Sequence, residues 1–253
     1  MTLYTSFRSE LIKTKKSSTR LLTILGAAVV PVMLVFTLNN SHGVEKLQGN
    51  PWLEYFRQAH LYTLGIFLPF FVILLCTLTA QIEHRNNAWK QVMSSPQYFL
   101  AIFFSKFLVV QAFIIYFILL SNLFMIASGF ILTFLEPKIR FLDYAPAWNR
   151  LVHFDLQSYL LVLAMSVIQF GMGIKLKNFI LPIVTGFGLW IITIILAQFL
   201  PELLKYFPYA YPFVGAISDF KLLLPQALWA SVSYSVLFLV VFYTSFALGK
   251  EKG

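Results

Sequence analysis

The chain has 253 residues, of which 59% are hydrophobic and 11% are charged, and its mean hydropathy is +0.78. This excludes a soluble globular protein, because too few polar side chains remain to cover its surface. The formal net charge of +9 would suit a nucleic-acid-binding protein, but the basic residues flank apolar runs and form no patch interleaved with aromatic residues. The composition predicts a membrane protein.

Six long stretches contain no Asp, Glu, Lys or Arg, and each is about as long as the ~20 residues that a helix needs to cross a bilayer. In chain order they are Leu21–Val44, Leu61–Ile82, Phe107–Leu135, Leu156–Ile174, Asn178–Pro201 and Leu222–Gly249. Lipid offers the backbone no hydrogen-bond partners, so the spans should be helical. The sequence predicts an all-α polytopic protein with six transmembrane helices in one domain over residues 1–253. The first stretch is interpreted as an uncleaved anchor, because no A-x-A-like site follows it.

The basic residues predict which way the chain faces. With six spans both termini share a side, and short cytoplasmic loops collect Lys and Arg. The side that holds the termini carries 12 of the 19 basic residues and three acids, a net charge of +9. The other side carries seven basic and seven acidic residues, a net charge of zero. We therefore expect both termini to be cytoplasmic.

Residues 1–20 contain a pattern typical of a short helix that lies on the membrane surface. Its apolar residues recur at helical spacing, and they are Leu3, Tyr4, Phe7 and Leu11. The opposite face is polar and carries Ser9, Lys13 and Lys16. The alternative is a solvated basic leader that only sets the orientation.

The third stretch is 29 residues long, or ~43 Å as a continuous helix. Because this exceeds the ~30 Å hydrocarbon core, we expect the helix to tilt, to protrude, or to end near Ser128-Gly129. The loop that follows is expected to reach Asp155.

The external segment at residues 201–221 reads PELLKYFPYAYPFVGAISDFK and combines three prolines with many aromatic residues. This composition favours a re-entrant segment of short broken helices in the outer leaflet, with its tyrosines at headgroup level. An ordinary interfacial aromatic belt is the alternative.

Residues with site chemistry are sparse. No ionisable residue lies in the middle of a span, which argues against a proton- or sodium-coupled carrier, although the argument does not extend to sodium sites made of carbonyl and hydroxyl oxygens. The histidines are interpreted as residues in or beside loops without metal-ligand spacing, and they are His42, His60, His84 and His153. With a single cysteine, Cys76, and no P-loop or nucleophile elbow, we expect no catalytic, cofactor or metal site in this chain.

The most distinctive short segment is the cytoplasmic loop between the second and third spans, around residues 83–100. Trp89, Val92 and Met93 fall at i, i+3 and i+4 and give one apolar helical face on an otherwise polar loop. Helix-end signals flank this face, namely Asn86 or Asn87 before it and Ser94-Ser95-Pro96 after it. Such a face predicts a short helix that enters a groove on another protein. The alternative is an interfacial helix with its tryptophan at headgroup level.

At these residues the chain resembles the permease subunits of type-2 ATP-binding-cassette exporters, and most of all the small six-span permeases of lantibiotic or bacitracin immunity. The resemblance rests on Glu10-Leu11-Ile12-Lys13 in the leader, on the block from Glu83 to Lys90 followed by Pro96, on Ser105-Lys106, and on the aromatic external segment.

The resemblance implies a permease in a bacterial cytoplasmic membrane that pairs with a second permease, identical or different. Each permease would dock a separate ATPase subunit, which binds the ATP and Mg. The docking residues would be Glu83, Asn87, Trp89, Lys90, Val92, Met93 and Pro96, with Phe7, Glu10, Leu11 and Lys13 of the leader helix at the same interface. The cargo would be hydrophobic or amphipathic: a peptide antibiotic, a drug or a lipid.

Two other classes of function remain open from the sequence. One is a membrane enzyme acting on lipid at the external face, with His153 and either Asp143 or Asp155 as its reacting groups. The other is a membrane sensor or scaffold whose ATPase partner signals without moving cargo.

Overall fold

The computed structural model describes residues 3–14, 17–38, 49–85, 98–136 and 139–248, without the side chains of 83, 85, 99 and 248. All regular structure within these ranges is helical. The α-helices are α1 (Leu3–Thr14), α2 (Thr19–Leu38), α3 (Pro51–Tyr62), α4 (Leu68–Arg85), α5 (Phe99–Leu135), α6 (Trp148–Lys175), α7 (Ile180–Phe199), α8 (Tyr211–Ala216) and α9 (Leu224–Leu248). Shorter helical turns occupy Thr63–Phe67, Phe141–Asp143, Pro201–Tyr206, Pro208–Ala210 and Ser218–Leu223.

Six helical segments of the described chain are long and apolar enough to cross a membrane, which confirms the predicted number of spans and the all-α fold. They are Thr19–Leu38, Pro51–Ile82, Leu100–Leu135, Trp148–Lys175, Ile180–Phe199 and Ser218–Ala247. The start of the second span, the chain after the third span and the segment between the fifth and sixth spans lie at one end of the bundle. There α3 packs against α2, against the end of α5 and against α8.

The second span begins ten residues before the apolar stretch that predicted it. Asn50 starts α3 because its side chain accepts a hydrogen bond from the Trp52 N–H at 3.0 Å, and Pro51 fits the first helical turn. Glu54 and Arg57 pair with each other at 2.6 Å on the exposed side of α3. Because of these two charges, α3 lies outside the stretch without Asp, Glu, Lys or Arg that predicted the second span.

A π-helical turn at Thr63–Phe67 joins α3 to α4. The Trp190 indole of α7 donates a hydrogen bond to the Gly65 carbonyl at 3.2 Å. A Cβ on Gly65 would lie 3.3 Å from the Cβ of Ala216. The glycine therefore lets α8 pack closely against this turn, where a larger side chain would separate them.

The third span contains α5, which is 37 residues long and continues through Ser128 and Gly129 to Leu135. The two small residues accommodate α3 and do not end the helix. A Cβ on Gly129 would lie 2.7 Å from the Trp52 ring. The Tyr55 hydroxyl lies 2.6 Å from Ser128 Oγ, which itself donates to a backbone carbonyl, so the tyrosine is the donor.

Three ionisable residues that the sequence assigned to loops or their borders lie inside helices. His60 belongs to α3, and His153 and Asp155 belong to α6, which begins at Trp148. The loop prediction was wrong here, because a single charged or polar residue interrupts an apolar stretch without interrupting a helix.

Two apolar clusters hold the described residues together. The larger one joins α4, α5, α6 and α9 with the segment between the fifth and sixth spans, through residues such as Val72, Phe103 and Phe170. The smaller one lies where α2, α3 and the end of α5 meet, around Trp52 and Phe141. The segment between the fifth and sixth spans is part of the core, because Tyr209 and Tyr211 are fully buried.

Candidate functional site

Most of the predicted ATPase-docking residues lie outside the described residues: Asn87, Trp89, Lys90, Val92, Met93 and Pro96. Glu83 lies within α4, but its side chain is also outside the description. The structure does describe both ends of this loop. The chain leaves the bundle at Arg85 and returns at Tyr98, directly before α5.

The end of α4 is bound to the short connection between the fourth and fifth spans. The Gln81 amide donates to the Lys177 carbonyl at 3.4 Å. The His84 Nε2 lies 3.2 Å from the Ile174 carbonyl. The last turns of α4 therefore lie beside the connection between the fourth and fifth spans.

Helix α1 lies at this same end and packs against the start of α5. Of the four apolar residues predicted to share a face, Phe7 and Leu11 pack against the main core. Leu3 and Tyr4 remain exposed, at 42% and 71%. The leader is thus a helix docked on the bundle, and its outer side carries apolar groups free to contact lipid.

A buried ion pair fixes α1 to α5. The Lys106 ammonium lies 2.8 Å from Glu10 Oε2, and the Lys13 ammonium lies 2.7 Å from Glu10 Oε1. The side chain of Lys106 is 2% exposed and that of Glu10 is 13% exposed. Because a buried charge is very costly without a partner, the Glu10 carboxylate stabilises the Lys106 ammonium in this buried position.

In the ion pair between Glu10 and Lys106, the lysine lies close in the chain to the end of the loop between the second and third spans. Lys106 is the eighth residue of α5, about 12 Å along the helix from Tyr98, where the loop ends. A displacement of the loop that moves the start of α5 therefore also moves α1. The sequence placed Glu10 and Lys106 separately in the resemblance and did not predict their contact, since 96 residues separate them. The available signal was that Glu10 is the only acid among the first 20 residues.

Deep hydrogen bonds anchor the segment between the fifth and sixth spans. The Tyr209 hydroxyl donates to Gln169 Oε1 at 2.7 Å, and Gln169 Nε2 donates to the Pro182 carbonyl at 2.8 Å. Burial raises the pKa of the Tyr209 phenol, so it remains a neutral donor. This contact links α6, α7 and the broken segment through one glutamine.

The other polar residues of the spans mostly connect helices. The Gln111 amide of α5 donates to Ser166 of α6 at 3.1 Å, and Asn122 of α5 donates to Asp155 of α6 at 2.7 Å. Gln198 is instead exposed near the end of α7. These hydrogen bonds stabilise the packing of the third span against the fourth.

The groups proposed for a membrane enzyme do not assemble into a reacting set among the described residues. Asp143 pairs with Arg140 at 3.5 Å, Asp155 accepts from Asn122, and neither bonds to His153, whose side chain is exposed. No group of three or more His, Cys, Asp or Glu comes together in the described ranges to hold a metal ion.

Six apolar spans and a docked leader helix define the chain as a polytopic α-helical membrane protein. Comparison with known protein families then identifies it more closely. The model of the ABC-2 family transporter proteins matches residues 6–198, and the chain belongs to this family. It is therefore a membrane component of an ATP-binding-cassette transporter, whose ATPase is a partner. No curated protein and no solved structure matches the chain.

Proposed function

We propose that the chain is the permease subunit of an ATP-driven exporter in a bacterial cytoplasmic membrane. It pairs with a second permease, and each permease docks a separate ATPase subunit that supplies ATP and Mg chemistry. The complex moves a hydrophobic or amphipathic cargo out of the membrane or the cell. Membership of the ABC-2 family supports the transporter and its ATPase partner. The leader and loop motifs support the narrower assignment to peptide-antibiotic immunity.

The observation that carries this proposal is the buried ion pair between Glu10 and Lys106. It joins the leader helix to the start of the third span, next to the loop that holds Trp89 and Lys90. If the leader helix is to move together with the ATPase, it needs a rigid connection to the loop that the ATPase contacts. Because the ion pair joins α1 to the start of α5, these two elements move together.

The mechanism follows from this connection. When ATP brings the ATPase subunits together, they displace the loop between the second and third spans. The displacement moves α5 and, through Glu10, the helix α1. It also reaches α6 and the connection to α7, because Gln81 and His84 bond to the backbone there. The spans then shift against the second permease and open a path for the cargo.

The surface of the spans supports a cargo taken from the bilayer. Apolar side chains of α7, including Ile180, Val184 and Ile195, are at least half exposed, as are Val236 and Val240 of α9. An apolar cargo dissolved in lipid meets these faces without crossing water.

Two measurements on the tagged full chain test this function. The first is co-purification from native membranes, for which we expect a stoichiometric soluble ATPase. The second is ATPase activity of the complex in proteoliposomes, comparing Trp89→Ala and Lys90→Glu with the unchanged chain. We expect both variants to insert normally but to lose most of the bound ATPase and its stimulated activity.

The matched controls are Trp148→Ala and Arg150→Glu, an exposed tryptophan and an exposed basic residue at the opposite end of the bundle. These should leave ATPase binding and activity unchanged. Recovery of the chain without an ATPase, or equal effects of the two pairs of variants, would contradict the proposal.

A further inference from the structure

A small cavity of about 30 Å³, lined by both apolar and polar side chains, lies between the second, third and fourth spans, away from the loop that docks the ATPase. Its polar lining consists of His60, Thr63, Ser121, Asn122, Asp155 and Ser158. One water needs about 10–15 Å³ of such space, so the cavity has room for an ion together with one water. The Phe154 ring, stacked on His60 at 4.5 Å, helps to close it.

Several polar atoms in this cavity have no protein partner. His60 Nε2, Thr63 Oγ1 and Ser121 Oγ are buried and make no hydrogen bond. Ser121 as a whole is 2% exposed. Leaving a buried polar group unpaired costs about 1–3 kcal/mol, so three such groups around one cavity indicate a bound polar species.

The carboxylate of Asp155 indicates the charge of the species that the cavity binds. Asp155 is the one acidic residue of the lining, and its hydrogen bond comes from the neutral amide of Asn122 at 2.7 Å. Among the described residues, no Lys or Arg forms an ion pair with it. Asp155 is half-buried, and a carboxylate withdrawn from water is costly without a positive partner, so a single positive charge would make the cavity neutral. A divalent ion would leave it with an excess charge.

The remaining donors favour a hard cation. The carboxylate, the Asn122 carbonyl oxygen and the hydroxyls of Thr63, Ser121 and Ser158 form an oxygen-rich set, and hard cations take oxygen ligands. The Ser158 hydroxyl already donates to the Phe154 carbonyl at 2.7 Å, so its oxygen keeps lone pairs for a cation. We propose that this cavity binds one monovalent alkali cation, Na⁺ or K⁺, which ties the second, third and fourth spans together.

The test uses the purified full chain in detergent and follows thermal unfolding by tryptophan fluorescence. The chain is titrated with NaCl or KCl, with choline chloride holding the ionic strength constant. We expect a saturable rise in Tm of several degrees with one or both alkali ions, because a ligand that binds only the folded state stabilises it. Binding of radioactive ²²Na⁺ to the same sample, with unlabelled Na⁺ or K⁺ as competitor, provides a direct readout.

Two variants locate the site. Asp155→Asn keeps the shape of the side chain and removes its charge, so it should abolish both the alkali-ion effect on Tm and ²²Na⁺ binding. Asp143→Asn, which removes an exposed carboxylate that pairs with Arg140, is the matched control and should retain both. Should Asp155→Asn fail to fold, Ser121→Ala removes one neutral ligand and should shift the titration midpoint to higher concentration.

A Tm that is the same in NaCl, KCl and choline chloride, without ²²Na⁺ binding, would mean that the cavity holds water or a protonated Asp155, and would overturn the proposal. An alkali-ion effect that survives in Asp155→Asn would also overturn it, because the ion would then bind elsewhere.

Discussion

At the scale of single residues, Lys106 shows how a charge is kept inside an apolar bundle. Its side chain is 2% exposed, and Glu10 uses both carboxylate oxygens, one for Lys106 and one for Lys13. Replacing a buried ion pair by apolar residues is often neutral, whereas removing one member leaves an uncompensated charge. The stability of this end of the molecule therefore depends on the pair as a unit.

We predict that Glu10→Gln lowers the free energy of unfolding by about 3 kcal/mol, because it removes the carboxylate that lies 2.8 Å from the buried Lys106 ammonium. The control Glu54→Gln breaks the exposed pair with Arg57 and should change it by about 1 kcal/mol or less. Denaturant unfolding in detergent, followed by tryptophan fluorescence, measures both.

The double variant Glu10→Gln/Lys106→Met separates structure from coupling. It removes both buried charges, so it should recover most of the lost stability while ATPase stimulation stays low. A double variant with full ATPase stimulation would show that the ion pair has only a structural role.

At the scale of elements, the segment of short helical turns between the fifth and sixth spans is held in place by a few buried contacts. Tyr209 donates to Gln169 at 2.7 Å, and Tyr209 and Cys76 belong to the same buried apolar cluster. Cys76 is fully buried and is the only cysteine in the chain. Its reactivity therefore reports whether this segment is in place.

We predict that Cys76 resists N-ethylmaleimide in the native protein and reacts several-fold faster in Tyr209→Ala, because loss of the phenol opens a route to the thiol. Tyr206→Ala is the matched control, since Tyr206 is 62% exposed on the same segment. Labelling is followed by mass spectrometry over time. Equal rates in the two variants would show that Tyr209 does not close the segment.

The elements also show what can be predicted from sequence. Six apolar stretches were enough to predict six spans. Lipid offers the backbone no hydrogen-bond partners, so a long apolar segment in a bilayer forms a helix. The start of the second span was missed because Glu54 and Arg57 interrupt the apolar run. A helix end near Ser128-Gly129 is one of three alternatives that the sequence leaves open, and the structure shows that these small residues instead make room for Trp52 and Tyr55.

The site was harder to predict than the fold. The leader helix and its Glu10 are visible in the sequence, but the contact with Lys106 joins residues that are 96 positions apart. The cavity lined by His60, Ser121 and Asp155 likewise draws on three spans. Such contacts depend on helix packing, for which neither periodicity nor charge counting gives a signal.

At the scale of the whole molecule, the charge distribution and the packing agree on two distinct ends. The leader helix, the end of α4, the start of α5 and the connection at residues 176–179 share one end. That end carries the whole net charge of +9 in the predicted topology, and the other end is neutral. The positive-inside rule predicts that the first end is cytoplasmic.

We predict this orientation for single cysteines placed in a Cys76→Ser background and treated, in intact cells, with a membrane-impermeant maleimide. Asp219→Cys, at an exposed position between the fifth and sixth spans, should be labelled from outside. Ser9→Cys, at an exposed position on α1, should be labelled only after the membrane is permeabilised. The reverse pattern would place the leader outside, where no ATPase reaches it, and the coupling role of Glu10 and Lys106 would fail with it.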